Sequence, residues 1–463
     1  MKIVILNGSP KGEPSVTMQY VKFIQKHYPG HEYLFHNISS RIKKIEKDED
    51  LFDAIMADIE SCDSVIWSTP VYSLFVPAQY MRFIELVHER NVAQAFKNKS
   101  TIVMTTSIHF YDHTAHRYMH AVCDDLEMHY IGYFSAEMDD LRKSRGRETL
   151  LKFAESYFEA SERKFHHQKR YQPIAPGNDA FEPAVVSKRL DAHHKKIVLV
   201  TDHKPQDTGI QAMIRRFSDT YTETIDIINL WDINIQGGCT GCIKCGYDNT
   251  CMYKDDFSAF YRSRILPADI VIYAMALTGR NISSKFKEYF DRRFFMNHVP
   301  DLKDKQVGFL VSGRMSQMPY LYDFCQGFFE CQQANFAGIV CDESGDSDEI
   351  DASIQQLAEQ VITFSNNGYC QPQTFLGVGG SKIFRDDIWG KLRHVFQADY
   401  RHYKKTGAFN FPHRRYKSRL TNSVVMLLTR IPGFRKAFYS RIKTEMYKPH
   451  KHIVENCDVK QSA

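Results

Sequence analysis

Two stretches of this chain repeat each other, and this repeat limits the fold more than any other feature. The segment KIVILNGSPKGEPSVTMQYVKFI from Lys2 has a counterpart, KIVLVTDHKPQDTGIQAMIRRFS, from Lys196. The segment VIWSTPVYSLFVPAQYMRFIE from Val65 aligns without gaps with VIYAMALTGRNISSKFKEYFD from Val271. Self-similarity of this kind predicts two tandem copies of one domain, so one fold must suit both halves.

Within each copy, short β-branched apolar runs alternate with amphipathic stretches. The predicted strands of the first copy lie at 2–7, 31–36, 64–69, 100–107 and 129–134, and those of the second at 196–201, 224–230, 269–275, 305–312 and 335–341. Such alternation predicts α/β domains of three layers, each a five-stranded parallel sheet with helices on both faces. The predicted domains are residues 1–170 and 195–370, joined by a polar, proline-bearing linker at 171–194.

Length and composition support a globular chain of several domains. The 463 residues, 43% of them hydrophobic, can bury more than one core. No run approaches the roughly 18 apolar residues that a membrane span needs, and the N-terminus MKIVILNGSP reads as a strand and turn rather than a signal peptide. Eleven cysteines, an odd number that is mostly scattered, favour a reducing compartment. We therefore expect a cytoplasmic protein.

Four of the cysteines crowd into thirteen residues of the run GGCTGCIKCGYDNTCMYKDDF. They are Cys239, Cys242, Cys245 and Cys251. Three cysteines at spacings of three, with a fourth close behind, favour the ligands of a four-iron, four-sulfur (4Fe-4S) cluster. Structural zinc usually has a longer spacer between two pairs, and free or disulfide-forming thiols are the other alternative.

The loops after the strands of the first copy are rich in small and hydroxyl-bearing residues. Ligands of open parallel sheets bind beyond the carboxyl ends of the strands, so chemistry is expected there. The first loop places Ser9, Ser15 and Thr17 at the start of a helix, where amides and hydroxyls could bind a phosphate. An ordinary N-cap is the alternative. The fourth-strand loop adds Ser107 and His109 near the same edge.

The third-strand loop makes the pattern specific. The strand-GSPxxxxxSxT-helix sequence, followed by TPVY and VPAQ, resembles the NADPH-dependent FMN reductase family of the flavodoxin-like fold. The cysteine run resembles the iron-sulfur flavoprotein branch of that family. The resemblance implies that FMN is a cofactor and that NAD(P)H donates the electrons. It also implies that Ser9, Lys11, Ser15 and Thr17 bind the FMN phosphate, while Pro70, Val71 and Tyr72 line the ring. Core packing is the other role open to Tyr72.

The two copies differ in complementary ways. The second copy has Asp202-His203 in place of Gly8-Ser9, which puts a carboxylate where a phosphate would lie. The first copy has no cysteines at the place of the cysteine run. Relatives in the family are typically dimers with flavin at the interface, so the chain is predicted to be an internal pseudo-dimer. One copy would hold the flavin and the other the cluster, within electron-transfer distance of each other. Further homo-oligomers stay open.

The chain from residue 371 onward is predicted to be a basic helical extension. From Leu376 it has 19 Lys plus Arg against 6 Asp plus Glu. Three roles stay open for it: lying on anionic lipid, docking an acidic carrier such as ferredoxin, or packing onto the domains. Nothing in it matches a nucleic-acid recognition motif.

Together these features predict an FMN-dependent NAD(P)H oxidoreductase. It would move electrons between a reduced nicotinamide or a protein carrier, FMN and the cluster. No nucleophile and base pair stands out, so no catalytic side chain is assigned. The alternative is a non-catalytic electron-transfer or redox-sensing module that docks a partner or a membrane through its basic tail.

Overall fold

The structure is a computed structural model, and it describes residues 1–165, 167–175, 181–186 and 189–456. It divides the chain into two compact units, residues 1–402 and residues 403–463. Both predicted sheets lie in the first unit. Parts of the predicted linker, 176–180 and 187–188, lie outside the described residues, and the predicted domain boundaries stay predictions.

The first half folds around a five-stranded parallel sheet. Its strands are β1 (Lys2–Asn7), β2 (Glu32–Asn37), β3 (Ser64–Pro70), β4 (Ser100–Ser107) and β5 (His129–Glu137). Their order across the sheet is β2-β1-β3-β4-β5, with every pair parallel. This doubly wound order is that of the flavodoxin-like fold. The strand order reverses between β1 and β3, which is the topological switch point of the sheet.

The second half repeats that order with one addition. Its strands are β6 (Ile197–Thr201), β7 (Asp226–Asn229), β8 (Ile270–Thr278), β9 (Asn281–Ile282), β10 (Gln306–Ser312) and β11 (Asn335–Cys341). Read from β7, the parallel strands run β7-β6-β8-β10-β11. The two-residue β9 pairs antiparallel with β8. The α/β prediction is therefore confirmed, except that the second sheet has a sixth strand, made where the chain turns straight back after β8.

Helices connect the strands and form the C-terminal region. In the first half they are α1 (Val16–His27), α2 (Ile42–Lys47), α3 (Glu49–Ser61), α4 (Ala78–Glu89), α5 (Asp112–Asp125) and α6 (Ser144–Glu162). In the second they are α7 (Thr208–Asp219), α8 (Phe257–Phe260), α9 (Ser284–Arg292), α10 (Tyr320–Cys331) and α11 (Ser347–Asn367). After them come α12 (Phe375–Trp389), α13 (Gln397–Thr406), α14 (Tyr416–Leu428) and α15 (Pro432–Glu455). The predicted helical character of the extension is confirmed.

Side chains alternate across each sheet, which divides the core of the first unit into three layers. In β1, Ile3 and Ile5 face one outer layer with α1 and α6, whereas Val4 and Leu6 face a central layer. The central layer also takes Val198 and Val200 of β6, while Leu199 faces the other outer layer. The inner faces of both sheets therefore share one hydrophobic core.

The inner helices of the two halves pack directly on each other. Helix α4 contacts α9, and α5 contacts α10. Helix α12 lies on α10, where the Glu330 carboxylate accepts the amide hydrogens of Thr374 at 2.8 Å and Gly377 at 2.9 Å. The carboxylate thus accepts amide hydrogens at the start of α12 that have no acceptor within the helix.

None of the helices in the described ranges is both long enough and apolar enough to cross a bilayer.

Candidate functional site

The loop after β1 is fixed by its own polar groups. The amide of Gly8 donates to the carbonyl of Ser68 at 2.7 Å, which ties the loop to β3. The amide of Ser9 donates to Asn7 Oδ1 at 3.0 Å, and the amide of Lys11 donates to Ser9 Oγ at 3.3 Å. Ser9 is buried. Its hydroxyl therefore fixes the backbone of the loop by accepting the amide hydrogen of Lys11.

The start of α1 provides the amides expected of an anion site. Ser15 is the N-cap and accepts the amide hydrogen of Met18 at 3.3 Å, so the alternative of an ordinary cap is observed. The amides of Val16 and Thr17 have no intrahelical acceptor because the helix begins there, and its first turn has no acidic residue. The hydroxyl of Thr17 lies 2.6 Å from that of Thr106. Thr17 thus links α1 to β4 through its side chain.

The third-strand loop turns sharply at residues that are not glycine. The amide of Tyr72 donates to the carbonyl of Phe75 at 2.7 Å, and that of Phe75 donates back at 3.0 Å. Between them, Ser73 and Leu74 have φ angles of 40° and 71°. Two successive positive φ values define a turn that normally takes glycine or asparagine, and each costs about 1 kcal/mol or more for other residues.

Side chains from other elements hold this turn in place. The Ser73 hydroxyl donates to the carbonyl of Phe290 in the second half at 3.1 Å, and the Thr114 hydroxyl donates to the carbonyl of Leu74. Phe75 is fully buried in the central core. The wall formed by Pro70, Val71 and Tyr72 therefore depends on packing between the halves.

A buried ion pair lies beneath the same turn. Lys287 and Asp291, one turn apart on α9, are both 0% exposed and paired. Lys287 Nζ also donates to the carbonyl of Tyr72 at 2.9 Å, and Asp291 accepts the amide hydrogen of Ala78 at 2.8 Å. Burial lowers the pKa of Lys287, although Asp291 and Cys239 oppose that shift. Burial likewise raises the pKa of Asp291.

The fourth-strand loop has its own polar network. The Ser107 hydroxyl accepts the amide hydrogen of His109 at 2.9 Å, and His109 Nδ1 lies 2.9 Å from Asp112 Oδ2. Ser135 Oγ donates to the same carboxylate oxygen at 2.5 Å. Hydrogen bonds from Ser135 and His109 outweigh burial and lower the pKa of Asp112. His109 is thus anchored by an acidic partner rather than merely solvated.

The cysteine loop, residues 236–253, lies against these first-half loops. A Cβ at Gly241 would stand 1.9 Å from Tyr72 Oη and 3.1 Å from Lys11 Cε, so glycine allows the closest approach. Gln79 Nε2 of α4 donates to the carbonyl of Cys239 at 3.1 Å. The cysteine loop therefore contacts both the predicted ring wall and the predicted phosphate loop. Such contact is required if the cysteines and the predicted flavin are to lie within electron-transfer distance.

Two of the four thiols, Cys239 and Cys245, have shifted pKa values. Burial raises the pKa of Cys239 to about 12 and that of Cys245 to about 12, and the charges of the neighbouring cysteines, Cys242 and Cys251 among them, add to both shifts. Cys242 is exposed. Arg292 Nη2 lies 3.8 Å from Cys251 Sγ and donates to it. All four are free thiols.

The thiols do not form a metal-ligand set as they stand. Over the part of the chain that is described, no group of three or more His, Cys, Asp or Glu side chains is placed to hold a metal ion. Among the described residues no preformed ligand set is thus observed, and the iron-sulfur assignment of Cys239, Cys242, Cys245 and Cys251 stays a prediction.

The corresponding loops of the second half are filled by protein groups. Asp202, which replaces Gly8, is buried, and burial raises its pKa to about 6. Its carboxylate accepts the hydroxyl of Ser283, and its carbonyl accepts Trp231 Nε1 at 2.8 Å. In the loop after β8, Arg280 pairs with Asp125 of the first half at 2.6 Å. These protein groups occupy the second-half positions that correspond to the predicted phosphate loop and ring wall of the first half.

The sequence-predicted residues come together at one edge of the first sheet. They are Ser9, Lys11, Ser15, Thr17, Pro70, Val71, Tyr72 and Ser107. Reasoning from the sequence missed the groups that support them: Lys287, Asp291, Gln79 and the buried His116. Burial lowers the pKa of His116 to about 4, and its Nε2 lies 3.0 Å from Thr105 Oγ1. The one available signal was a lysine and an aspartate four apart in the segment KFKEYFD, where charged and aromatic residues are mixed.

Comparison with known proteins adds the following. Residues 1–157 match a family model described as "Flavodoxin-like fold". No curated protein matches the chain. Among solved structures, the general stress protein 14 of Treponema denticola in complex with FMN is 15% identical, with a TM-score of 0.27, over 35% of this chain and 99% of its own. An FMN-dependent NADH-azoreductase from Bacillus anthracis is 14% identical, with a TM-score of 0.26, over 35% and 98%. FerB, an NAD(P)H:(acceptor) oxidoreductase from Paracoccus denitrificans, is 16% identical, with a TM-score of 0.26, over 35% and 98%.

Proposed function

We propose that this chain is an FMN-dependent oxidoreductase that takes electrons from NAD(P)H or from a ferredoxin-like carrier. The observation that carries the proposal is the joining of three loops at the carboxyl edge of the first sheet. Thr17 bonds to Thr106, the amide of Val71 donates to the Thr106 carbonyl at 3.4 Å, and Gly8 donates to Ser68. Such an edge is where doubly wound sheets bind nucleotide cofactors.

The residues at this edge fit the two ends of FMN. The amides at the start of α1, with the hydroxyls of Ser9 and Ser15 and the ammonium of Lys11, suit a phosphate, because a helix N-terminus attracts anions. Pro70, Val71 and Tyr72 provide an apolar wall for the ring, and Ser107 adds a polar group beside it. The first turn of α1 has no acidic residue, so no carboxylate of that turn opposes a phosphate there.

FMN, when bound, supplies the redox chemistry, since a flavin takes up a hydride and releases electrons singly. The chain's own groups position and protect it. Burial raises the pKa of Tyr72 well above its usual value, so the phenol stays protonated and can donate a hydrogen bond. His116, with a pKa of about 4, is neutral at physiological pH and keeps its imidazole in contact with Thr105.

The proposal extends to the relation between the halves, which are tandem copies that act as an internal pseudo-dimer. The second half then contributes the cysteine loop as a redox centre beside the flavin. The shared strand order and the contact of Gly241 with Tyr72 support this relation. The nature of the centre is decided by iron, sulfide and zinc analysis of anaerobically purified protein, repeated for Cys242→Ser.

The test of FMN binding is a Ser9→Asp variant. A carboxylate about 4 Å from the phosphate costs about 4 kcal/mol at an effective dielectric constant near 20, which is roughly a thousandfold in affinity. Screening reduces this, so we expect a loss of at least about a hundredfold in FMN affinity, measured by fluorescence titration. The matched control is Ser144→Asp, which adds the same charge at the exposed start of α6 and should leave FMN affinity unchanged.

Two outcomes would contradict the proposal. One is a purified protein that contains no flavin and binds no added FMN. The other is equal FMN affinity in Ser9→Asp and the unmodified protein. Anaerobic bleaching of the bound flavin by NADPH or NADH supports an enzyme that uses nicotinamide, whereas bleaching by reduced ferredoxin alone supports the electron-transfer module.

A further inference from the structure

The last two helices of the chain expose a stripe of apolar side chains. Helices α14 and α15 contain no buried residue. Exposed members include Leu420 at 69%, Leu427 at 61%, Ile431 at 56% and Met446 at 69%. Aliphatic side chains at this level of exposure, repeated along two helices, indicate a surface that is covered by something else when the protein works.

In α15 four apolar residues stand at every fourth position. They are Phe434, Phe438, Ile442 and Met446. At about 100° per residue, a step of four advances about 40°, so the four side chains lie within an arc of about 120°. The rings of Phe434 and Phe438 are 6.3 Å apart and nearly parallel, as expected of neighbours along one stripe.

Basic residues border this arc. At about 100° per residue, Arg441 falls about 20° outside one edge of the arc and Lys443 falls about 60° beyond the other. Arg435 and Glu445 fall inside the arc. Between residues 416 and 455 there are nine Lys and Arg but only two Glu, each of which pairs with a lysine nearby. Within the described residues, Arg441 and Lys443 form no ion pair. The surface therefore combines an apolar stripe with unneutralised positive charge.

We propose that α14 and α15 bind the surface of an anionic lipid bilayer. An amphipathic helix of this composition lies in the interface, with its apolar side among the acyl chains and its basic side against the headgroups. A nucleic acid would meet the positive charge but would give the exposed leucine, isoleucine and methionine no apolar partner. An acidic protein would have to present an apolar groove as long as both helices. The proposal concerns residues 416–455 alone and does not rest on the proposed redox function.

The experiment is co-sedimentation of the full-length protein with vesicles. Vesicles of phosphatidylcholine with about a third phosphatidylserine should bind it, and vesicles of phosphatidylcholine alone should bind it far more weakly. Arg441→Gln/Lys443→Gln should weaken binding to the anionic vesicles about 25-fold, or about fivefold for each charge. Phe434→Ser/Met446→Ser should weaken binding while leaving the charge intact.

The matched control is Arg145→Gln/Lys152→Gln, which removes two exposed charges from α6 and should leave vesicle binding unchanged. Circular dichroism verifies that every variant is folded. Three results would overturn the proposal: no binding to anionic vesicles, equal binding to neutral ones, or an equal loss in the control. Retention of binding by the Phe434→Ser/Met446→Ser variant would show that charge alone attaches the tail, which also overturns it.

Discussion

Replacement of Lys287 by methionine tests how far the second half supports the predicted ring wall. The ammonium is fully buried, pairs with the Asp291 carboxylate and donates to the carbonyl of Tyr72 at 2.9 Å. Methionine fills a similar volume without charge. The substitution therefore leaves one carboxylate buried and unpaired, and it deprives the strained turn at Ser73 and Leu74 of a donor.

The expected cost can be worked out from these contacts. Removing one partner of a buried ion pair costs about 3–5 kcal/mol, because the remaining charge is uncompensated. The lost donor to Tyr72 adds about 1 kcal/mol. In Lys287→Met/Asp291→Asn the amide oxygen can still accept the amide hydrogen of Ala78 but carries no charge. We expect the double variant to regain more than half of the lost free energy of unfolding.

The measurement is urea denaturation followed by the fluorescence of Trp67, which is fully buried in the first half. The pH dependence provides a second check. Burial raises the pKa of Asp291 above its ordinary value of 3.8, so the native state holds this proton at a pH where the unfolded state has lost it. The penalty in Lys287→Met is therefore full at neutral pH and shrinks as the pH falls. A cost below 1 kcal/mol, or a double variant no more stable than the single one, would refute the reasoning.

Three further substitutions address the neighbouring features. Asp202→Asn should raise the free energy of unfolding by up to about 3 kcal/mol above pH 6. Burial raises the pKa of Asp202 to about 6, so the native carboxylate is charged above that value and protonated below it. Urea denaturation from pH 4 to 8 should show that the gain in stability vanishes at the acid end. Gly241→Ala should lower FMN affinity at least about tenfold, since its φ of +64° and the nearby Tyr72 hydroxyl leave no room for a methyl group; unchanged affinity in fluorescence titration would contradict this. Arg292→Lys should speed alkylation of the cysteine loop several-fold, because lysine cannot replace the fork that Arg292 makes with Asp255 at 2.8 Å; an unchanged alkylation rate in mass spectrometry would show that the fork does not hold the loop.

Most of the fold was predictable, because short apolar runs that alternate with amphipathic stretches are typical of parallel strands connected by helices. The predicted strand at 64–69 is observed as Ser64–Pro70, and that at 335–341 as Asn335–Cys341. Strands buried on both faces must be apolar throughout, so their sequences stand out. β9 was not predicted, because two residues carry no periodic pattern and its pairing is decided by the turn at Gly279, which has a φ of +60°.

The candidate site was predictable only in part. The loops after β1, β3 and β4 follow from the strand positions, which fix the edge where they meet. Lys287 and Asp291 could not be assigned to that edge, because their burial depends on how α9 of one half packs against α4 of the other. The contact of Gly241 with Tyr72 likewise depends on that packing.

The strained turn at Ser73 and Leu74 has a consequence for how the protein is made. The lysine that donates to its Tyr72 carbonyl is synthesised 215 residues later. The inner faces of the two sheets share one hydrophobic core, and the predicted ring wall has no support until α9 has emerged. Loading of the proposed cofactor should therefore be a late event in biogenesis, and a chain released before α9 should lack the donor that supports this turn.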